Sequence, residues 1–273
     1  MFTGLLLSLR EGLEAALIIG IVLGALRKMN RADLKPAVWI GVGSASFISL
    51  IVALVLTWLG ASLEGVAEQI FEGVTMFLAA AVLTWVVFWM QRQSRSLKGE
   101  LEAGIRRTAS NAGKMGLFWL AFFAVVREGV ELALFLSAST ILSGAQNNLL
   151  GAVVGLTVAI GLGWALYTSS IRMSLRAFFM VTSLLLILFA GGLVAHGVHE
   201  FNEVGWIPAV IEPVWDINSI LDENSTLGAI LKALFGYNAN PSLTELLAYF
   251  GYFIAIALGL FFSRQALPQA QRT

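Results

Sequence analysis

No cysteine occurs among the 273 residues, which excludes disulfide frameworks, thiolate metal sites and thiol chemistry together. Charge is scarce as well. Only 12% of residues are Asp, Glu, Lys or Arg, about half the share of a soluble globular chain. Lys and Arg (17) balance Asp and Glu (17), so no positive excess marks a nucleic-acid partner. The chain holds neither an HExxH zinc motif nor a nucleophile beside a base, which argues against a hydrolase. It has no nucleotide-binding sequence, so any ATP coupling would need another chain. Short segments of alternating hydrophobicity, the mark of a transmembrane β-barrel, are missing. No basic stretch precedes the first apolar run and three charges interrupt it, so that run reads as a helix of the chain and not a secretory signal.

What is there is apolar. Hydrophobic residues make up 58% of the chain, and runs of about 20, enough to cross a bilayer, recur throughout. The expectation is an all-α polytopic membrane protein, a single domain over 1–273, with seven transmembrane helices. They fall at 2–26, 37–60, 70–91, 116–143, 149–170, 177–199 and 246–263. Fourteen of the seventeen basic residues lie in the connections on one side: Arg27 to Lys35, Arg92 to Lys114, Arg172 and Arg176, Arg264 and Arg272. The opposite connections hold Lys232 alone, and Arg10 and Arg127 sit within spans. The positive-inside rule makes the basic side cytoplasmic, with the N-terminus outside and the C-terminus inside.

Two of the spans carry one charged pentapeptide each: Arg10-Glu11-Gly12-Leu13-Glu14 and Arg127-Glu128-Gly129-Val130-Glu131. At about 100° per residue, with the Arg at 0°, the second Glu lies near 40° and the first near 100°. Two carboxylates and a guanidinium therefore share a helix face whose surroundings are apolar. Each such group costs about 2.5–3.5 kcal/mol at a helix centre, roughly 8–10 kcal/mol for three. The motifs stand 117 positions apart (Arg10 to Arg127), each near mid-depth of its span. Spans one to three (repeat 1, 1–91) and four to six (repeat 2, 116–199) then read as an inverted 3+3 repeat. An odd number of spans per unit forces opposite topology, and inverted-repeat transporters bind substrate near the midplane. The seventh span, 246–263, has no counterpart.

Four carboxylates without thiolates suit a hard cation, and the glycines admit a close neighbour. On this reading Glu11, Glu14, Glu128 and Glu131 are metal ligands. Arg10 and Arg127 balance their charge and relieve their mutual repulsion. The competing reading, in which each Arg merely neutralises a Glu to tether helices, leaves one Glu per motif without a partner. Glu68 and Glu72 open the third span. Acids at a helix start are commonplace, but Glu72 precedes a wholly apolar run, so a role in admitting the cation is weighed against that. At the far end of the sixth span His196 and His199 stand close to Glu200 and Glu203. His199, Glu203 and, in the loop 200–245, Asp216 are outer metal contacts on one reading and ordinary interfacial groups on the other. Glycines four apart, Gly20 and Gly24 or Gly151 and Gly155, fit close helix packing in lipid. Within the loop, Ser225 or Thr226 is placed to cap a short helix ending near Gly236. Segment 92–114 reads as a short amphipathic helix.

Two Arg-Glu-Gly-x-Glu copies, on the first and fourth of seven spans, resemble the signature of the oxidase-dependent iron transporter family. The segments Phe71-Glu72-Gly73, Leu83-Thr84-Trp85-Val86-Val87-Phe88-Trp89-Met90 and Phe235-Gly236-Tyr237 resemble its bacterial branch, over nearly the whole chain. The resemblance implies iron uptake across the inner membrane. Iron is then the substrate, no cofactor is permanently bound, and Glu11, Glu14, Glu128 and Glu131 translocate it. It also implies periplasmic partners, a cupredoxin-like protein and a haem peroxidase. The alternative within transport is a permease for another hard divalent ion, coupled to protons.

Overall fold

The protein is described by a computed structural model over residues 1–93, 113–143, 145–168, 175–223 and 225–265. Among these residues the chain is all-helical. Its α-helices are α1 (Phe2–Lys28), α2 (Lys35–Ser62), α3 (Val66–Gln93), α4 (Gly113–Ser143), α5 (Ala145–Thr168), α6 (Leu175–Glu203), α7 (Thr226–Phe235) and α8 (Leu243–Gln265). A 3-10 turn, Ala32–Leu34, joins α1 to α2. Five segments are long and apolar enough to cross a membrane: Ala32–Ser62, Val66–Trp89, Asn148–Ala165, Phe178–Glu203 and Leu243–Phe262. Seven were expected. The two that fall short, α1 and α4, are those carrying Arg10, Glu11 and Glu14 or Arg127, Glu128 and Glu131, whose charges interrupt every long apolar window. The expected loop 200–245 is also shorter, because α6 continues through Glu203 and α8 begins at Leu243. Most of segment 92–114, with Arg95, Lys98, Arg106 and Arg107, lies outside the described residues, as do Arg172 and Arg272.

Local chemistry explains several boundaries. Arg27 and Lys28 close α1, where positive charge meets the negative end of the helix dipole. Asn30 then takes φ 55°, a left-handed conformation that Asn tolerates better than most residues. Pro36 sits in the first turn of α2, where its missing N–H costs nothing. The cap expected at Ser225 is present, its Oγ accepting from Gly228 N at 3.0 Å. Gly236 ends α7 at φ 67°.

The chain divides into two compact units. In the first, which holds α1, α2, α4, α5 and the start of α6, α1 runs along α5, α2 along α4, and α1 also meets α4. The close approaches recur at fixed offsets. Gly41 of α2 lies against the backbone of Phe118 and Phe122, and Gly151 of α5 against that of Met1 and Leu5. Gly129 of α4 faces Ser49 of α2, and Gly12 of α1 faces Ala159 of α5. Each α1 position and its α4 counterpart differ by 117 (Met1 to Phe118, Gly12 to Gly129). Each α2 position and its α5 counterpart differ by 110 (Gly41 to Gly151, Ser49 to Ala159). Lipid offers no hydrophobic drive between helices, so such backbone-to-backbone packing supplies the attraction. A buried cluster of Val22, Leu26, Leu34, Val38, Leu117 and Ala121 fills one end. On the outer face of α2, Trp39, Phe47, Leu54 and Trp58 are exposed, an apolar surface that belongs in lipid.

The second unit holds α3, most of α6, the loop, α7 and α8. Here α3 and α6 pack antiparallel by a reciprocal contact: Gly73 lies on the Phe201 ring and Gly197 on the Phe77 ring. The two rings stack on each other, centroids 5.6 Å apart. Like residues of the two helices again differ by one offset, 124 (Gly73 to Gly197, Phe77 to Phe201). α8 joins through Thr84 Oγ1 and Tyr252 OH, 2.9 Å apart. At its start Glu245 N donates to Ser242 Oγ and Ser242 N to Glu245 Oε1, a capping box.

Two substitutions test this packing by thermal or denaturant unfolding of purified protein. Gly151→Leu has no room against Met1 and Leu5 and is expected to cost about 2 kcal/mol or more. Gly20→Ala, whose Cβ would meet nothing within 4 Å, is expected to stay within about 1 kcal/mol of wild type. Ser242→Ala removes one arm of the capping box and is expected to cost about 1 kcal/mol.

Candidate metal centre

The motif glycines set the direction of the motif carboxylates. Gly12 lies about 160° around the helix from Glu14 and about 100° from Glu11. With Gly12 pressed on Ala159 and Leu156 of α5, the carboxylates of α1 turn away from α5. Gly129 against Ser49 does the same for α4. The result brings Glu11, Glu128 and Glu131 together: one oxygen from each lies within 4.8 Å of the other two. Metal–oxygen bonds of about 2.0–2.2 Å hold ligating oxygens at most roughly 4.4 Å apart. Small side-chain movements therefore suffice to close the three on one ion. Glu14 is not in the set; it stands beside it through Arg10.

All four carboxylates are buried, Glu11 and Glu128 almost completely. The Arg10 guanidinium ion-pairs with Glu11 and, through Nη2, with Glu14 Oε1 at 2.8 Å. Arg127 Nη2 lies 2.6 Å from Glu128 Oε1 and Nε lies 3.5 Å from Glu131 Oε1. These pairs leave oxygens over. Glu11 Oε2, Glu128 Oε2 and Glu131 Oε2 have no hydrogen-bond partner among the described residues, and Glu14 Oε1 meets Arg10 without hydrogen-bond alignment. A buried acceptor left unmet is costly. Four carboxylates and two guanidiniums leave a formal charge of −2, which a divalent cation would neutralise. The chemistry available is binding and release of a hard cation by oxygen donors.

The other expected contacts lie in the second unit. His199 Nε2 is 3.3 Å from Glu203 Oε1 and its Nδ1 is 3.1 Å from Glu245 Oε1; Glu203 also accepts from Gln69 Nε2. Glu72 and Glu68 are partly buried on α3, and Glu72 feels the charges of Glu68 and Glu203. Asp216 accepts from the backbone and side chain of Asn218 and so serves its own turn. His196 is buried, its Nδ1 on Gly192 O at 3.1 Å, a bond internal to α6. The sequence reading missed Glu245 as the partner that orients His199. The signal was present as Ser242-Leu243-Thr244-Glu245, a capping-box pattern. It also missed the copies Gly73-Val74-x-x-Phe77 and Gly197-Val198-x-x-Phe201, the seam between α3 and α6.

Comparison with known proteins agrees with this chemistry. The sequence model of the Iron permease FTR1 family matches residues 1–268. The chain is 34% identical to the ferrous iron permease EfeU of Escherichia coli O6:K15:H31 (strain 536 / UPEC), over 100% of both chains. It is 36% identical to the ferrous iron permease EfeU of Yersinia pestis, over 96% of this chain and 93% of that one. No solved structure matches. Apolar helices with lipid-suited faces, buried paired carboxylates and a match over nearly every residue together place this multi-pass membrane protein in the iron permease FTR1 family.

Proposed function

We propose that this chain takes up iron across the inner membrane by binding it between the paired motifs, with Glu11, Glu128 and Glu131 as ligands and Glu14 completing the acidic set. The observation that carries this is the three-carboxylate cluster, drawn from two helices, buried, and with oxygens that nothing among the described residues satisfies. Iron is the substrate, and a transporter of this kind needs no resident cofactor. Carboxylate donors accept ferrous and ferric ions alike. An inward-negative potential of 100 mV would favour passage of a divalent ion by about 4.6 kcal/mol across the full field. At the outer side Glu68, Glu72, His199 and Glu203, with Asp216 further along the loop, gather the ion. Periplasmic partners, a cupredoxin-like protein and a haem peroxidase, deliver it.

The inverted 3+3 repeat belongs to this reading. The close approaches at constant offsets, 117 for α1 with α4 and 110 for α2 with α5 in the first unit, support it. So does the Gly–Phe exchange at 124 in the second. Each motif helix packs on the second helix of the other repeat, as a two-fold exchange requires.

The deciding experiment is initial uptake of radiolabelled iron into proteoliposomes, with ferrous and ferric ions supplied separately. Glu11→Gln, Glu14→Gln, Glu128→Gln and Glu131→Gln are near-isosteric, so each is expected to lose uptake while inserting at wild-type levels. Wild-type uptake by all four would leave the helix-tether reading standing. Manganese carried as fast as iron would favour the general divalent permease. Orientation is checked separately, and the absence of native cysteine makes the labelling clean. Glu100→Cys is expected to react with an impermeant thiol reagent from the cytoplasmic side only, and Ile220→Cys from the periplasmic side only. Labelling of both from one side overturns the assigned topology.

A further inference from the structure

The two motifs are alike in sequence, and nothing in their spacing distinguishes Arg10 from Arg127. The structure does. The Arg10 side chain is fully buried, whereas Arg127 is 35% exposed. Their partners differ in role as well. Both carboxylates held by Arg127, Glu128 and Glu131, belong to the three-carboxylate cluster. Of those held by Arg10, Glu11 belongs and Glu14 does not. The Arg127 grip is also uneven: Nη2 and Nε both reach Glu128 Oε1, at 2.6 and 3.1 Å, while Glu131 is 3.5 Å away.

We propose that Arg127 is a tethered counter-cation, occupying the empty carboxylate cluster and displaced from it by the incoming metal ion, while Arg10 stays fixed. This rests on the reading above that the cluster binds the ion. Removing a guanidinium from a fully enclosed ion pair strands a buried charge, which is prohibitive for Arg10. Arg127 already has a third of its side chain outside the packing of the first unit, so it has fewer enclosing contacts to give up than Arg10. Its withdrawal frees Glu128 and Glu131 for the ion. Its return gives the ion a competitor on release, so that the site binds and lets go without leaving Glu128 and Glu131 uncompensated at any stage. Arg127 is thus a positioning residue that sets affinity and release; it does not ligate the ion.

The test uses purified full-length protein in detergent, under anaerobic conditions, with ferrous iron as the probe. An arginine-selective dicarbonyl reagent is applied with and without the ion, and modification is read residue by residue by mass spectrometry. Ferrous iron is expected to speed modification of Arg127 several-fold while Arg10 stays unmodified in both states. Protection of Arg127 by the ion, or an unchanged rate, overturns the proposal. Equilibrium binding gives a second readout. Removing a competitor that fills the site nine-tenths of the time tightens apparent affinity about ten-fold, so Arg127→Gln is expected to lower the Kd by about that factor. Arg10→Gln, with the same loss of charge, is expected to weaken binding. Equal tightening in both variants would reduce the effect to net charge and overturn the displacement. Weaker binding by an Arg127→Gln protein with an unaltered unfolding midpoint would make Arg127 a structural tether. If Arg127→Gln does not fold, the labelling of the wild type decides. A wild-type protein that binds ferrous iron but shows no faster labelling sinks this inference alone; one that binds no iron sinks the proposed function with it.

Discussion

The constraint on which the first unit depends is the burial of five charged groups, with a sixth, Arg127, partly exposed beside them, among apolar helices. Neither motif is tolerable as a bare set of charges, and each solves part of the problem within its own helix by pairing Arg with Glu at the next position and at i+4. The pairing is incomplete: with two carboxylates to one guanidinium, Glu11 Oε2, Glu128 Oε2 and Glu131 Oε2 keep no hydrogen-bond partner among the described residues. The close packing of α1 on α5 and α2 on α4 fixes the rotation of the motif helices.

The motifs were legible because charge in a long apolar run is anomalous whatever the fold. Their meeting was legible only in outline. That Glu11 joins Glu128 and Glu131 while Glu14 stands aside depends on helix rotation, which is set by Gly12 against Ala159 and Gly129 against Ser49. A linear sequence shows the glycines but not what presses on them. The different exposure of Arg10 and Arg127 was equally out of reach, because the two pentapeptides are chemically the same. The cap at Ser225 and the stop at Gly236 were readable since both act over a few residues of one segment.

One recurrence of sequence was readable between α1 and α4, and another, between α3 and α6, was overlooked. Charge drew attention to the 117-residue offset. The seam of α3 with α6 repeats only Gly-Val-x-x-Phe, and the charged neighbours differ: Glu72 precedes one glycine and His196 the other. Five of the seven expected spans are long and apolar enough to cross a membrane; in α1 and α4 the motif charges break every such window.

The reciprocal packing of α1 on α5 and α2 on α4 has a consequence for how the chain is made. A nascent protein lengthens by about 5–20 residues per second, so α1 waits on the order of ten seconds before α5 has been synthesised. Throughout that interval three charged side chains must reside in or beside the bilayer without their final neighbours. Because Arg10 is bonded to Glu11 and Glu14 of the same helix, most of that charge is compensated from the moment α1 forms. The intrahelical ion pairs thus ease a costly segment through membrane insertion until the second half of the protein arrives to enclose it.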